Sequence, residues 1–164
     1  MKSYAQRYEE FTAATVRLAE KIHDANREKV ADVKYTLPQI TMALRNIYKD
    51  PIFHEKFVAS KMSDNKWSSG FCALASITIY NIYGGSNVWD FMAIRPGEWK
   101  SPVIFLKDKA TGINFGTTGE HFFPDKIPYE IGRPLDINKL KQSALHKEFK
   151  SILFTELKNN KYDI

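Results

Sequence analysis

The chain has 164 residues, of which 43% are hydrophobic and 13% aromatic, enough for one domain with a core of its own and no need of covalent staples. A single cysteine excludes an internal disulfide and any zinc site built from several cysteines, and makes a reducing cytoplasm the expected compartment. The net charge of +5 is spread along the chain without a basic block or arginine-rich stripe, so a nucleic-acid partner is compatible but not favoured.

The N-terminus, Met1-Lys2-Ser3-Tyr4-Ala5-Gln6-Arg7, leads into charged residues and not into an apolar export signal, and no later apolar run reaches the length of a membrane span. A soluble, unexported protein without a membrane partner is expected. From Ser3 onward, Tyr4, Tyr8, Phe11, Thr15, Leu18, Ile22 and Ala25 recur in steps of four and three, which predicts one face of a long amphipathic helix. Ser3 and Gln6 have capping-box spacing at its start.

Thr36-Leu37-Pro38-Gln39 opens a second helix in the same manner, with proline in its first turn and Leu37, Ile40, Leu44 and Ile47 on its apolar face. Asp50-Pro51 stops it and starts a short helix through Phe53, Phe57 and Val58, followed by a polar loop from Ser60 to Ser69.

The next segment, Trp67-Ser68-Ser69-Gly70-Phe71-Cys72-Ala73-Leu74-Ala75-Ser76, takes the chain from turn-forming residues into an apolar run that ends at Gly84-Gly85. Serine and glycine before the run suit a helix start and the paired glycines suit its end. Leu74, Ala75, Ile77, Ile79, Tyr80, Ile82 and Tyr83 leave almost no polar face, the mark of a buried central helix. Cys72 therefore falls in its first turn, where unpaired amides and the helix dipole favour a thiolate. A free cysteine also serves often as a small buried hydrophobe, so both roles stay open.

Beyond Gly85 the pattern becomes strand-like at Val88–Ile94, Val103–Leu106 and Ile113–Phe115, with Arg95-Pro96-Gly97 as a turn and Lys107 to Gly112 as a hairpin loop. The stretch Phe122 to Pro134 holds Pro124, Pro128, Gly132 and Pro134 and reads as a surface loop. Asp136 is placed to cap a terminal helix carrying Ile137, Leu140, Ala144, Phe149, Ile152 and Leu153. The expected fold is a single α+β domain over residues 1–164: a helical N-terminal part, a buried central helix, a small antiparallel sheet and a C-terminal helix.

Ser69-Gly70-Phe71-Cys72-Ala73-Leu74-Ala75, Tyr83-Gly84-Gly85, the hairpin, and Thr117-Thr118-Gly119-Glu120-His121-Phe122 together resemble the small YunG-like bacterial proteins with a papain-like, NlpC-type thiol fold. The resemblance covers residues 67–123 and implies a cysteine at a helix start followed by antiparallel strands, one of which brings a histidine. Here the strand in question, Ser101-Pro102-Val103-Ile104-Phe105-Leu106, contains no histidine. His121 is the downstream histidine near the strands and takes what is a glutamine position in the family pattern.

Two functions follow from these residues. One is a cysteine-dependent hydrolase or transferase acting on an amide or thioester, with Cys72 as nucleophile, His121 as base, and Asn114 or Asp125 orienting the imidazole. The other, toward which the missing strand histidine tips the balance, is a non-catalytic binding or regulatory protein of bacterial or phage type. It would meet a protein partner through its aromatic surface or its long first helix. Trp67, Trp89, Trp99, Tyr80, Tyr83, Phe91 and Phe105 cluster around the cysteine in sequence and serve either as core or as a binding surface. His23, His54 and His146 lack metal-ligand spacing, and the glycines between Gly112 and Gly119 do not form a phosphate loop, so no cofactor and no metal are expected.

Overall fold

A computed structural model describes residues 1–57, 67, 71–140 and 144–164, without the side chains of His54 and His121. Helix α1 (Tyr4–Ala25) starts at Ser3, whose hydroxyl accepts from the Gln6 amide while the Gln6 side chain accepts from the Ser3 amide. Helix α2 (Leu37–Ile47) starts with the same reciprocal pair between Thr36 and Gln39. Each box satisfies two amides that a helix start otherwise leaves without partners. Helix α3 (Pro51–Phe57) follows at once; Val58 and, apart from Trp67, the expected polar loop from Ser60 to Ser69 lie outside the described residues.

The buried face of α1 is wider than the 3–4 spacing of its large residues indicates. Tyr8, Thr12, Thr15, Val16, Ala19 and Ile22 are buried, whereas Ala25 is exposed at the last turn. Small residues at Thr12 and Ala19 let α2 lie close against α1.

Helix α4 (Cys72–Ile82) is the central helix, with Leu74 to Ile79 continuously buried. It packs on the sheet along one side and on the C-terminal helix along another. Its N-cap is the buried Phe71, which provides no side-chain cap, so the expected serine or glycine cap is replaced by apolar anchoring. Phe71 stacks on Tyr48 at 5.1 Å with the rings within 7° of parallel, and touches Phe53 and Phe149. The end of α4 is as the sequence indicates. Gly84 adopts φ 84°, and a side-chain carbon there would lie 2.2 Å from Val88 Cγ2, so neither conformation nor space admits another residue.

Strands β1 (Trp89–Ile94), β2 (Val103–Asp108), β3 (Asn114–Phe115) and β4 (Arg133–Pro134) form one antiparallel sheet in the order β3-β2-β1-β4. The hairpin between β1 and β2 turns at Arg95 to Glu98, with Gly97 at φ 86°. The turn into β3 is organised by Asp108, fully buried, whose carboxylate accepts from the Ala110 and Thr111 amides and the Thr111 hydroxyl. Asn26, just past α1, donates to the same carboxylate at 3.0 Å and to Ile22 O at 2.7 Å, tying the end of α1 to the sheet.

Two expectations for the C-terminal third are corrected. The proline-rich stretch is not all surface loop, because Arg133 and Pro134 add the edge strand β4, where proline's missing amide faces away from the ladder. Asp136 caps only a short 3-10 turn over Ile137–Lys139, and helix α5 begins later, at Ala144, running to Asn159. Ile137 and Leu140 still pack on the main core, from outside the helix.

That core joins residues from all five helices and the α4-facing side of the sheet, whereas Met92, Ile94, Val103 and Phe105 form a smaller cluster on the other side. The architecture is α+β, with the helical N-terminal part, buried central helix, small antiparallel sheet and C-terminal helix that the sequence indicates. Among the described residues no helix is long and apolar enough to cross a membrane.

Since α4 fills the space between sheet and helices, Leu74→Ala or Ile77→Ala is expected to cost about 2–5 kcal/mol, as for other large-to-small core changes. Urea denaturation measures it. Midpoints near wild type for both variants would contradict the central placement of α4.

Candidate functional site at the start of the central helix

Cys72 is the first residue of α4 and is half-buried. Beside it runs β2. Asp108 donates its amide toward β3, and by strand alternation Ile104 directs its own amide and carbonyl to the same edge. β3 ends at Phe115, short of Ile104, so these polar groups have no strand partner and α4 supplies one. The Ser76 hydroxyl donates to Ile104 O at 3.2 Å, and the Ile104 amide faces the Cys72 thiol.

Burial pushes the Cys72 thiol pKa up, and the amides of Ile104, Ala73 and Cys72 itself pull it down by less. Among the described residues the shift comes from burial and backbone alone. The charge of a Cys72 thiolate would be felt at two tyrosines: burial first, and then Cys72, raises Tyr129 to about 12, and burial also raises Tyr48. Tyr48 is wholly buried and its hydroxyl lies 2.7 Å from Thr117 Oγ1.

Thr117 begins the segment that passes the helix start, and a buried charge fixes it. Arg45 of α2 is 1% exposed. Its Nη1 donates to Glu120 Oε1 at 2.5 Å and to Thr117 O at 2.8 Å, its Nε to Thr12 Oγ1 at 2.8 Å, and its Nη2 to Tyr8 O at 3.0 Å. The guanidinium carbon lies 3.6 Å from the centroid of the Tyr8 ring, and the Tyr8 hydroxyl donates back to Arg45 O. One side chain thus holds α1, α2 and residues 117–120 together.

Between Phe11 of α1 and residues 119–129 lies a groove of about 470 Å3 with mostly apolar walls: Phe11, Phe123, Pro124, Ile127 and Tyr129. Gly119 forms part of it. A side-chain carbon there would sit 3.0 Å from Phe11 Cζ and 3.2 Å from Ile127 Cδ1, so glycine lets the two walls approach. Tyr129 belongs both to the groove and to the surroundings of Cys72.

The residues proposed from the sequence are distributed as follows. Cys72 stands at the helix start as expected. His121 lies in a 3-10 turn, Glu120–Phe122, directly after the Arg45-bound Glu120, and its side chain is outside the description. Asn114 pairs with Lys107 on β3; alternation along β2 puts this pair on the sheet face opposite Ile104 and α4. Asp125 forms an exposed ion pair with Lys100. Of the aromatic residues, Trp89, Tyr83, Phe91 and Phe105 are core, while Trp67 lies edge-on against Tyr4 and Tyr8 and Trp99 packs on Phe122.

His23 is 2.5 Å from the Tyr83 hydroxyl, and burial, then Arg27, lowers its pKa. Among the described residues no group of histidine, cysteine, aspartate or glutamate could hold a metal ion. Comparison of the chain with family models, curated proteins and solved structures gave no match.

Arg45 and Glu120 were not singled out by sequence. The available signal is the row Pro38, Thr41, Arg45 and Tyr48, which has helical spacing beside the main apolar face of α2 and is buried throughout.

The raised tyrosines carry a pH dependence. Tyr8, Tyr48 and Tyr129 ionise less readily folded than unfolded, so their contribution is complete below the unfolded tyrosine pKa of about 10 and is lost as pH rises toward the folded values. Urea midpoints are expected to hold between about pH 8 and 9 and to fall steeply above about 10. A midpoint unchanged at about pH 11 would show that these hydroxyls are not sealed in the fold.

Proposed function

We propose that this protein is a non-catalytic binding protein built on a papain-like order of elements, a cysteine-headed helix followed by an antiparallel sheet. The observation that carries this reading is the state of the thiol. Cys72 is half-buried beside strand backbone and tyrosine, with its pKa pushed up, the reverse of what a nucleophile at neutral pH requires. The strand that faces it presents Ile104 where the resemblance implies a histidine-bearing strand. The open apolar groove between Phe11 and residues 119–129 supports binding as the use to which this surface is put.

A second reading, a thiol hydrolase or transferase on an amide or thioester, is favoured by one feature: the backbone amides of Ile104, Ala73 and Cys72 itself pull the thiol pKa down, against burial. In that reading Cys72 attacks the carbonyl, His121 takes the thiol proton and passes it to the departing amine or thiol, and water or an acceptor nucleophile then breaks the Cys72 acyl thioester and restores the thiol.

Iodoacetamide labelling at about pH 6, followed by mass spectrometry, separates the two, because only an activated thiolate reacts readily there. The binding protein is expected to stay unlabelled at Cys72 while native and to label once it is unfolded in urea and raised to about pH 8.5. Rapid labelling of the native protein that His121→Ala slows would overturn it in favour of the enzyme.

A further inference from the structure

We infer that the groove between Phe11 and residues 119–129 is a docking site for a peptide segment that presents one aromatic or aliphatic anchor beside acidic residues. This rests on the binding-protein reading and gives it a partner class.

The apolar half of the argument is the shape of the groove. Its volume falls in the range of ligand pockets, roughly 300–1,000 Å3, and it is large enough for a side chain with part of its backbone. Phe123 is 59% exposed at its edge. An apolar ring left this open beside a concave apolar wall is the pattern of a surface that a partner covers.

Charge complementarity decides the rest. Glu120 is spent on Arg45, and Asp125 is paired with Lys100, so both carboxylates in the groove lining are neutralised within the protein. Among the described residues Arg7 and Lys126 pair with no carboxylate. The Arg7 guanidinium lies 4.8 Å from the Phe123 ring centroid, gives Nη1 to Lys2 O, and keeps Nε shielded from solvent with no hydrogen-bond partner among the described residues. Lys126, exposed in the groove lining, forms no ion pair among the described residues. Arg7 precedes Phe11 by one helical turn on α1, so the positive charge sits beside the apolar wall.

An occupant that matches both features pairs an apolar anchor with carboxylates, as an acidic peptide does. A nucleic-acid strand calls for a track of cations with stacking platforms, and two cations do not make a track. One exposed ring is likewise too little for a lipid-inserting face.

The test is isothermal titration calorimetry of the full chain with a synthetic acidic heptapeptide holding one central phenylalanine. Saturable binding is expected, weakened about tenfold or more when that phenylalanine becomes alanine. Lys126→Glu and Phe123→Ser change exposed side chains, and each is expected to weaken binding about tenfold with melting curves like wild type. The inference is overturned by absence of saturable binding, by equal binding when the peptide's acids are replaced with lysines, or by unchanged affinity in both variants. It is also overturned if vesicles of anionic phospholipid or a single-stranded oligonucleotide bind through these residues while the peptide does not. Failure of the peptide with Cys72 still unreactive in the native protein removes this occupant alone; native labelling of Cys72 removes the reading beneath it.

Discussion

The arrangement around the start of α4 depends on a charged pair sealed away from water. Arg45 and Glu120 have side chains 1% exposed, and the guanidinium gives hydrogen bonds to a carboxylate, two backbone carbonyls and a threonine hydroxyl. Removing a guanidinium and a carboxylate from water costs several kcal/mol for each ion, so such a pair is tolerated only when nearly every donor is satisfied. That demand is what makes it specific. The network closes only when α1, α2 and residues 117–120 hold one relative position, and that position brings Thr117 to Tyr48 and Gly119 to Phe11. The groove is a consequence of the same closure.

At Cys72 burial sets the state of the thiol. Helix dipole and amides lower a thiol pKa where water and a base can share the site; here desolvation outweighs them. A cysteine-headed helix is followed by an antiparallel sheet, and the edge of β2 that the thiol meets carries backbone and Ile104. With Ser76 also bonded to Ile104, the start of α4 completes the hydrogen bonding of a strand that β3 leaves unfinished.

Much of the fold was legible in the sequence because local rules and packing agree there. The two capping boxes, the proline in the first turn of α2, the glycines after α4 and the turn at Gly97 each encode a backbone requirement within four residues. Where a boundary is set by distant contacts, sequence reading failed. Phe71 starts α4 without a polar cap because Tyr48, Phe53 and Phe149 enclose it, and Asp136 caps a 3-10 turn instead of α5. β4 is a pairing imposed by β1 on residues whose composition signals a loop. Of the site, Cys72 was visible through its helix start, whereas Arg45 and Glu120, 75 residues apart, look like ordinary surface charges until the fold joins them.

A double-mutant cycle on the buried pair tests most directly whether the fold around this site hangs on it. Arg45→Met alone strands the Glu120 carboxylate and is expected to cost about 3–5 kcal/mol in urea denaturation, while adding Glu120→Leu should restore a large part of that loss. If Arg45→Met leaves the midpoint near wild type, or if the two substitutions simply add, the pair is not the constraint that holds α1, α2 and residues 117–120 together.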